Sequence, residues 1–237
     1  GREIALTAAS VANLRRLGVL QRIADSDMSP LRTARVFNGA SKLPLEFNNT
    51  RDRKSPLGLL VSNASLKRAL FESVVQQDNV ILQDETKVAG ARANGDAIEV
   101  RTDGASLKAR LLVAADTRFS SLRTGQGIGA FMHDFGKTML VCRVQHEKPH
   151  DGVATEWFGH GQTVAMLPLE ENLSSLVLTL PDSQIAALMD LSHADFAREM
   201  QQRTQQRWGA LTLASERFRY PLVAVYAHRF VAPRFAL

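Results

Sequence analysis

The sequence LLVAADTRFSSLR, residues 111–123, joins an apolar run to the polar cluster that directly follows it. Every position of the run 111–115 is apolar, which predicts a strand in a sheet that is covered on both faces. Since α/β proteins place ligand sites at the carboxyl ends of such strands, the cluster is a candidate ligand site. Arg118 or Arg123 can pair with a phosphate, and Asp116 can accept hydrogen bonds from a ribose. An N-capped turn with solvated arginines is the alternative that composition leaves open.

Upstream of this segment, the pattern predicts two amphipathic helices and a hairpin. Apolar residues recur at helical spacing over 11–23, and Thr7 or Ser10 can cap the start of that helix. A second amphipathic helix is predicted after Asn63. Between the helices, residues 35–47 contain two short strand-like segments joined by a connection of hairpin length.

Downstream of residue 79, strand patterns dominate before two further helices appear. Strands are predicted at 80–82, 86–91, 97–101, 111–115, 137–146, 163–168 and 173–180. Helices are predicted at 182–191 and 194–208, with Ser192 as the cap of the second. The interleaving of helix and strand patterns along the chain predicts an α/β fold of mixed α+β type, in which a mainly antiparallel sheet has helices packed on one side.

Composition and charge narrow the class of protein. With 237 residues, 45% of them hydrophobic, the chain can bury a core without disulfides or a structural metal. Its single cysteine, Cys142, excludes a disulfide-linked scaffold and a cysteine-based metal cluster, and it favours a reducing cytoplasm. No apolar run reaches the ~20 residues of a membrane-spanning helix. The net charge of +5 is spread along the chain without a nucleic-acid-binding motif, so no nucleic-acid partner is expected.

Two motifs match the patterns of a zinc site and a dinucleotide-binding loop, but the secondary structure predicted around them is not the one that these sites require. His146-Glu-Lys-Pro-His150 matches the zinc-binding H-E-x-x-H pattern, yet Pro149 breaks the helix that the pattern requires. We therefore expect no metal site, and we expect His146 and His150 to point apart. Residues 125–130 match G-x-G-x-x-A, but no strand leads into them and no amphipathic helix leaves them, so a connecting loop is predicted. Cys142 lies in an apolar strand and is expected to be a buried hydrophobic residue.

Residues 113–123 resemble the aspartate–glycine motif, A-D-G-x-x-S-x-x-R, of the FAD-dependent aromatic hydroxylases, which share the p-hydroxybenzoate-hydroxylase-like fold. Three further segments, 1–7, 61–66 and 143–150, are similar to the branch of that family that acts in ubiquinone biosynthesis. The resemblance runs in order along most of the chain. It implies a partial FAD-binding domain of this type together with a substrate domain built on a mainly antiparallel sheet.

The resemblance also implies roles for individual residues. Asp116 is expected near the flavin pyrophosphate and the approach of the nicotinamide, with Ser120 and Arg123 completing the motif. Arg2 matches an arginine that follows the family's second strand and reaches the cofactor. Asn63 matches a polar position that heads a helix beside the flavin. No residue is identified as catalytic, and a catalytic base cannot be named.

Two departures from the family pattern carry expectations of their own. Thr117 stands where the family has glycine, so the turn must accommodate a β-branched side chain. The family's G-x-G-x-x-G loop would precede Gly1, and its flavin-contacting glycine–aspartate motif would follow Leu237. The chain is therefore expected to be an internal fragment that retains little FAD, because it lacks the phosphate-binding helix N-terminus of that loop.

The implied domains are discontinuous along the chain. Residues 1–33, 61–133 and 219–237 are expected to form the partial FAD-binding domain, and residues 34–60 and 134–218 the substrate domain. This division follows the interleaving of helix-period and strand-period segments.

The implied activity is that of an FAD-dependent monooxygenase that hydroxylates a polyprenyl phenol or quinol ring in ubiquinone biosynthesis, with NAD(P)H as reductant. The cofactor supplies the oxygen chemistry and the protein supplies orientation and electrostatics, so no nucleophile–base pair is expected. Two alternatives stay open: a hydroxylase of a small soluble aromatic compound, and a flavin-free binding or scaffold protein. The expected location is the cytoplasm, with a peripheral contact at the inner membrane face or a biosynthetic complex left open.

Overall fold

Helices and strands alternate along the chain in the computed structural model, which describes residues 2–49 and 55–237. The helices are α1 (Ala8–Arg16), α2 (Asn63–Val75), α3 (Ser121–Gly125), α4 (Asp182–Met189) and α5 (His193–Arg203). The strands are β1 (Glu3–Thr7), β2 (Met28–Leu31), β3 (Thr33–Asn38), β4 (Leu45–Asn48), β5 (Gly58–Ser62), β6 (Val88–Asn94), β7 (Ala97–Thr102), β8 (Ser106–Ala109), β9 (Leu112–Val113), β10 (Ala130–His146), β11 (Val153–Gly159), β12 (Gln162–Pro168), β13 (Leu173–Pro181), β14 (Leu211–Leu213), β15 (Phe218–Ala227), β16 (Val231–Ala232) and β17 (Phe235–Ala236). Among the described residues, no helix combines the length and the apolar composition needed to cross a bilayer.

The chain packs into two compact units. Gly1–Val80 packs with Gly136–Pro221, and Ile81–Phe135 packs with Leu222–Leu237. The expected division into a partial FAD-binding domain and a substrate domain cuts the chain at other positions, and it stays a prediction.

The first unit contains a large, mainly antiparallel sheet, as the sequence predicts. Its strand order is β14-β10-β13-β12-β11-β3-β4. β11 and β3 pair in parallel, whereas the other neighbours in this order pair antiparallel. The predicted hairpin over 35–47 is present as β3 and β4. β11 has no counterpart among the strands predicted from sequence.

Helices α4 and α5 cover one face of this sheet, as expected. Leu140, Cys142 and Val144 alternate along β10 and are buried in one core with Phe196 and Met200 of α5. Because side chains alternate between the two faces of a strand, the intervening residues lie on the opposite side, which we call the far face. The far face carries Val141 and Arg143 of β10, Ser175 and Val177 of β13, Ala165 of β12, Glu156 of β11 and Val36 of β3.

A three-stranded antiparallel sheet, in the order β1-β5-β2, also belongs to the first unit. The predicted cap of α1 is present, since the Thr7 hydroxyl oxygen accepts a hydrogen bond from the Ser10 N–H at 3.2 Å. The helix ends at Arg16, earlier than predicted, because Gly18 at φ +71° leaves the helical conformation. At Gly58 of β5, an added Cβ would lie 2.3 Å from the Leu6 carbonyl oxygen, so the close approach of β5 to β1 requires glycine.

The second unit contains two small sheets, β6-β7-β8 and β16-β17-β9. The expectation of a strand covered on both faces over 111–115 is wrong. β9 has two residues, and Leu111 and Val113 are 56% and 62% exposed. β9 lies at the edge of a sheet of two-residue strands, so these side chains face solvent rather than a second layer. Residues 80–82, also predicted as a strand, have no regular structure.

Candidate functional site

The loop after β9 brings together three of the residues expected to bind the cofactor, Asp116, Ser120 and Arg123. The Ser120 hydroxyl oxygen caps α3 by accepting a hydrogen bond from the Arg123 backbone N–H at 2.9 Å. The Asp116 carboxylate accepts one from the Leu122 N–H at 3.4 Å. The Arg123 guanidinium donates to the Arg118 carbonyl oxygen at 3.2 Å. Each of the three residues therefore helps to shape the loop.

Burial divides the side chains of this loop into two kinds. Ser120 and Arg123 are buried, and the Arg123 Nε has no hydrogen-bond partner in the part of the chain that the structure describes. Asp116 and Arg118 are exposed, with the Arg118 guanidinium 4.9 Å from the ring centre of Phe119. The loop thus presents a carboxylate and a guanidinium group outward, on a turn that its buried members hold in shape.

Thr117 has a φ of +78°, in the left-handed region that glycine adopts without strain. The sequence pattern places glycine at this position in the hydroxylase motif. The turn has the conformation that the motif glycine would favour, and the β-branched side chain is accommodated there with backbone strain.

A cleft lies beside this loop within the second unit. Thr117, Arg118 and Ser120 line one part of it, and Val225 and Phe230 line another. The buried Arg123, whose Nε lacks a partner, also contributes to its wall. A guanidinium group, hydroxyl groups and apolar side chains in one cleft suit a ligand with both anionic and flat apolar parts. The donor set therefore fits part of a dinucleotide cofactor such as FAD.

The other two residues expected to bind the cofactor, Arg2 and Asn63, meet in the first unit. They are far apart in sequence, but β1 and β5 are neighbours, and the Asn63 N–H donates to the Arg2 carbonyl oxygen at 3.0 Å. The Arg2 guanidinium lies 5.2 Å from the ring centre of Tyr220. Ser62 caps α2 through the Ser65 N–H at 3.5 Å, so Asn63 begins the helix, as predicted. The roles of all five residues in cofactor binding stay predictions.

Next to Arg2, an ion pair joins the small sheet of the first unit to the large one. Both Nε and Nη2 of Arg143 donate to one carboxylate oxygen of Glu3, at 2.9 and 2.8 Å. The Glu3 side chain is only 3% exposed, and its second oxygen is buried without a partner among the described residues. Sequence analysis missed this pair because 140 positions separate its members.

Sequence analysis also missed a carboxylate on the far face of the large sheet, that of Glu156. It makes no hydrogen bond or ion pair within residues 2–49 and 55–237. Burial among its neighbours raises its pKa above the usual value of 4.5. One signal was present in the sequence: Glu156 is the charged residue in a segment of strand length, bounded by Gly152 and Gly159 and rich in aromatic and β-branched residues.

The residues of the H-E-x-x-H match lie closer together than expected. The ring centres of His146 and His150 are 5.7 Å apart, so the expectation that they point apart is wrong. The turn after β10 folds back, and His146 Nδ1 lies 2.7 Å from the Lys148 carbonyl oxygen. His146 Nε2 lies 2.9 Å from the Ser174 hydroxyl, and His150 Nε2 bonds to the Glu170 carbonyl oxygen. The absence of zinc stays a prediction.

Burial also affects two titratable side chains in the core. The pKa of His146 is lowered, chiefly by burial. Burial raises the pKa of the Cys142 thiol to about 12, and the residue lies in the main core, which confirms it as a small hydrophobic residue.

Comparison with known proteins relates the chain to ubiquinone hydroxylases. It is 40% identical, over its whole length, to ubiquinone hydroxylase UbiM of Neisseria meningitidis, of which it covers 52%. It is 31% identical over 89% of its length to ubiquinone hydroxylase UbiL of Rhodospirillum rubrum, and covers 49% of that protein. It is 28% identical to 3-demethoxyubiquinol 3-hydroxylase of Escherichia coli, covering 98% of this chain and 59% of the relative. The chain thus spans about half the length of these relatives. No family model matches it.

Solved structures share its fold at lower sequence identity. PqsL, a probable FAD-dependent monooxygenase from Pseudomonas aeruginosa, matches 98% of this chain and 66% of its own with a TM-score of 0.80 at 20% identity. HpxO from Klebsiella pneumoniae, solved with FAD and uric acid, matches 100% of this chain and 62% of its own with a TM-score of 0.69 at 20% identity. The expected mixed fold is confirmed, and so is the expected resemblance to ubiquinone hydroxylases. The chain is therefore a relative of the ubiquinone hydroxylases and has the fold of the FAD-dependent monooxygenases.

Proposed function

We propose that the protein containing this chain is an FAD-dependent monooxygenase that hydroxylates the ring of a polyprenyl phenol or quinol in ubiquinone biosynthesis. The observation that carries the proposal is the 40% identity to a ubiquinone hydroxylase over the whole chain. Relationship at this level, continuous from one end of the chain to the other, favours a shared activity over a shared fold alone. The 31% identity to a second ubiquinone hydroxylase supports the same reaction class.

When bound, FAD supplies the electron transfer and oxygen activation that side chains cannot provide. The exposed Arg118 guanidinium would face the cofactor's phosphates, since guanidinium groups bind phosphate through paired hydrogen bonds. The exposed Asp116 carboxylate would accept hydrogen bonds from ribose hydroxyl groups. Ser120 and the buried Arg123 would act by holding the loop that carries both.

Arg2 and Asn63 are the other two residues that are proposed to contact the cofactor. They are adjacent through one backbone hydrogen bond, and the Arg2 side chain is exposed. The stacking of Arg2 on Tyr220 limits the directions in which its charge can point. The reductant in this proposal is NAD(P)H, which would approach near Asp116.

The far face of the large sheet would contact the substrate ring. Val36, Ala165 and Val177 are partly exposed and give it an apolar surface, which suits a prenylated aromatic ring better than a small charged one. A hydroxylase of a small soluble aromatic compound remains the alternative within the same reaction class. A scaffold protein without flavin remains the alternative outside it.

A peripheral contact with the inner membrane face is part of the proposal, because a polyprenyl substrate partitions into lipid. The edge hairpin of the large sheet supports it, since Leu43, Leu45 and Phe47 are exposed. Large apolar side chains clustered on a surface are typical of interaction sites. A biosynthetic complex could cover the same surface, and a cytoplasmic location agrees with the unpaired Cys142.

The experiment that tests this function uses the intact enzyme with FAD, NAD(P)H and a short-chain prenyl phenol. We expect oxygen-dependent incorporation of one oxygen atom into the ring, detected by mass spectrometry. Turnover of hydroxybenzoate in preference to the prenyl phenol would support the small-aromatic alternative. Failure of the intact enzyme to bind FAD would support the flavin-free alternative and contradict the proposal.

A further inference from the structure

We propose that Glu156 is a catalytic residue, whose carboxylate accepts a hydrogen bond and then the proton from the substrate's phenolic hydroxyl group. This inference rests on the proposed function, because it needs a phenol or quinol on the far face of the large sheet. Sequence resemblance leaves the catalytic base unassigned, and the structure offers this carboxylate for the role.

Glu156 sits inside an apolar row of the far face. In the register of the sheet it lies opposite Ala165 of β12 on one side and Val36 of β3 on the other. Ala165 is in turn opposite Val177 of β13, which is opposite Val141 of β10. Val141 is buried, whereas Val36, Ala165 and Val177 are partly exposed. A flat ring laid on the exposed part of the row would contact these three aliphatic side chains and meet one carboxylate. That arrangement gives both an apolar surface for the ring and an acceptor for its hydroxyl group.

Among the residues that the structure describes, no other titratable group lies on a position next to Glu156 on this face. Its same-face neighbours along β11 are Ala154 and Phe158. The diagonal neighbours are Thr163 and Leu167 on β12, and Ala34 and Asn38 on β3. Among the described strand residues, the nearest far-face charge in the sheet order is Arg143 on β10, which is already paired with Glu3.

A half-buried carboxylate without a partner is unfavourable for stability, because it loses water and gains no compensating interaction. The contrast with Glu46 on the edge strand β4 is direct, since Glu46 pairs with Arg35 at 2.8 Å. Burial also raises the pKa of Glu156, which brings its basicity closer to that of a useful proton acceptor near neutral pH. Unpaired, desolvated ionisable groups of this kind concentrate at functional sites.

The proton transfer balances without a further reactant. The phenolic O–H bond breaks, its electron pair stays on the phenolic oxygen, and a new O–H bond forms on the Glu156 carboxylate. The negative charge on that oxygen raises electron density at the ortho and para ring carbons, which favours their reaction with activated oxygen. Glu156 returns the proton to solvent before the next turnover.

The first test measures binding to the full chain without cofactor, using ortho-geranylphenol and its methyl ether, which lacks the hydroxyl donor. We expect the wild-type chain to bind the phenol at least about tenfold more tightly than the ether, as a hydrogen bond to a charged group predicts. Glu156→Leu should abolish this preference. Glu171→Leu, a substitution of an exposed glutamate, is the matched control and should retain it. A tenfold preference that survives in Glu156→Leu overturns the inference.

The second test uses the intact, FAD-loaded enzyme and the isosteric variant Glu156→Gln, which should fold normally. We expect kcat to fall about a hundredfold with little change in KM, as for loss of a general base. The acidic limb of the kcat/KM pH profile should disappear in Glu156→Gln, and Glu156→Asp should recover part of the rate. Normal kcat in Glu156→Gln overturns the assignment while leaving the proposed function intact. Absence of ring hydroxylation by the wild-type enzyme would instead contradict the proposed function.

Discussion

The loop at 116–123 and the far face of the large sheet both carry polar and ionisable side chains, but these side chains find their hydrogen-bond and ion-pair partners in different ways. In the loop, Ser120 and Arg123 are buried and bond to backbone groups within five residues. On the far face, Arg143 finds its partner 140 residues away, and Glu156 has none in the described part of the chain. A site built by a turn can be recognised from local sequence. A site built across strands becomes visible only when the register of the sheet is known.

The largest expected effect tests the loop side of this comparison. In the intact enzyme, Asp116→Ala should weaken FAD retention by about 1.5–3 kcal/mol, because an acceptor for hydrogen bonds from the cofactor is lost. Bound-flavin absorbance and titration with FAD measure the loss, and the exposed Asp84 provides a control substitution, Asp84→Ala.

FAD affinity and turnover that Asp116→Ala leaves unchanged in the intact enzyme would contradict that expectation. The loop would then be an N-capped turn whose carboxylate has no role in cofactor binding. The loop and the far face would then differ in how their side chains are paired, but the loop would have no shown role in cofactor binding.

The next effect concerns the paired charges of the far face. Arg143→Met should lower the free energy of unfolding by about 2 kcal/mol, because it leaves the buried Glu3 carboxylate without its partner. We expect less than the roughly 3–5 kcal/mol typical of fully buried pairs, since Arg143 is itself 39% exposed. Urea unfolding measures the loss.

The matched control is Arg35→Met, which breaks the solvent-exposed pair with Glu46 and should cost less than about 1 kcal/mol. Adding Glu3→Gln to Arg143→Met should recover part of the lost stability, because the unpaired charge is removed. Equal losses in Arg143→Met and Arg35→Met would show that burial of Glu3 adds nothing to the pair.

Much of the fold could be predicted from sequence, and the reasons differ between the two units. The strands around Cys142 are rich in apolar residues, and the helices that follow show apolar residues at helical spacing, so the antiparallel sheet with helices on one face was predictable. The run 111–115 is equally apolar, but apolar composition does not reveal that the strand lies at the edge of a small sheet. β11 escaped prediction because Glu156 interrupts its apolar pattern.

The residues of the candidate site also differ in how far they could be predicted from sequence. Asp116, Ser120 and Arg123 lie within eight residues and were predicted to belong together. The meeting of Arg2 with Asn63 depends on the pairing of β1 with β5, whose register no local sequence pattern reveals. His146 and His150 were expected to point apart, whereas the fold-back of the turn after β10 brings their rings together.

A smaller effect is expected at the turn itself. Thr117→Gly should raise the free energy of unfolding by about 1 kcal/mol, because it relieves the strain of a β-branched residue at φ +78° and offsets the added entropy of glycine in the unfolded chain. Thr124→Gly, in the short helix α3, should instead destabilise the protein. Thermal unfolding of the two variants measures both signs, and destabilisation by Thr117→Gly would show that its side-chain contacts outweigh the strain.

The smallest expected effect is a pH-dependent one at Glu156. Burial raises its pKa above 4.5, so the folded state binds the proton more tightly than the unfolded state does. The native protein therefore loses stability as pH rises from 4.5 through the folded-state pKa. Glu156→Gln removes the ionisation, so it should stabilise the protein at neutral pH and have little effect well below pH 4.5. Urea unfolding at both pH values measures this difference, and Glu171→Gln, at an exposed position, should show none.

If Glu156→Gln stabilises the protein and also abolishes catalysis, then the unpaired carboxylate lowers stability and is retained because catalysis requires it. Destabilisation at neutral pH would mean that Glu156 has a stabilising partner in the folded protein, and the contrast between loop and far face would fail.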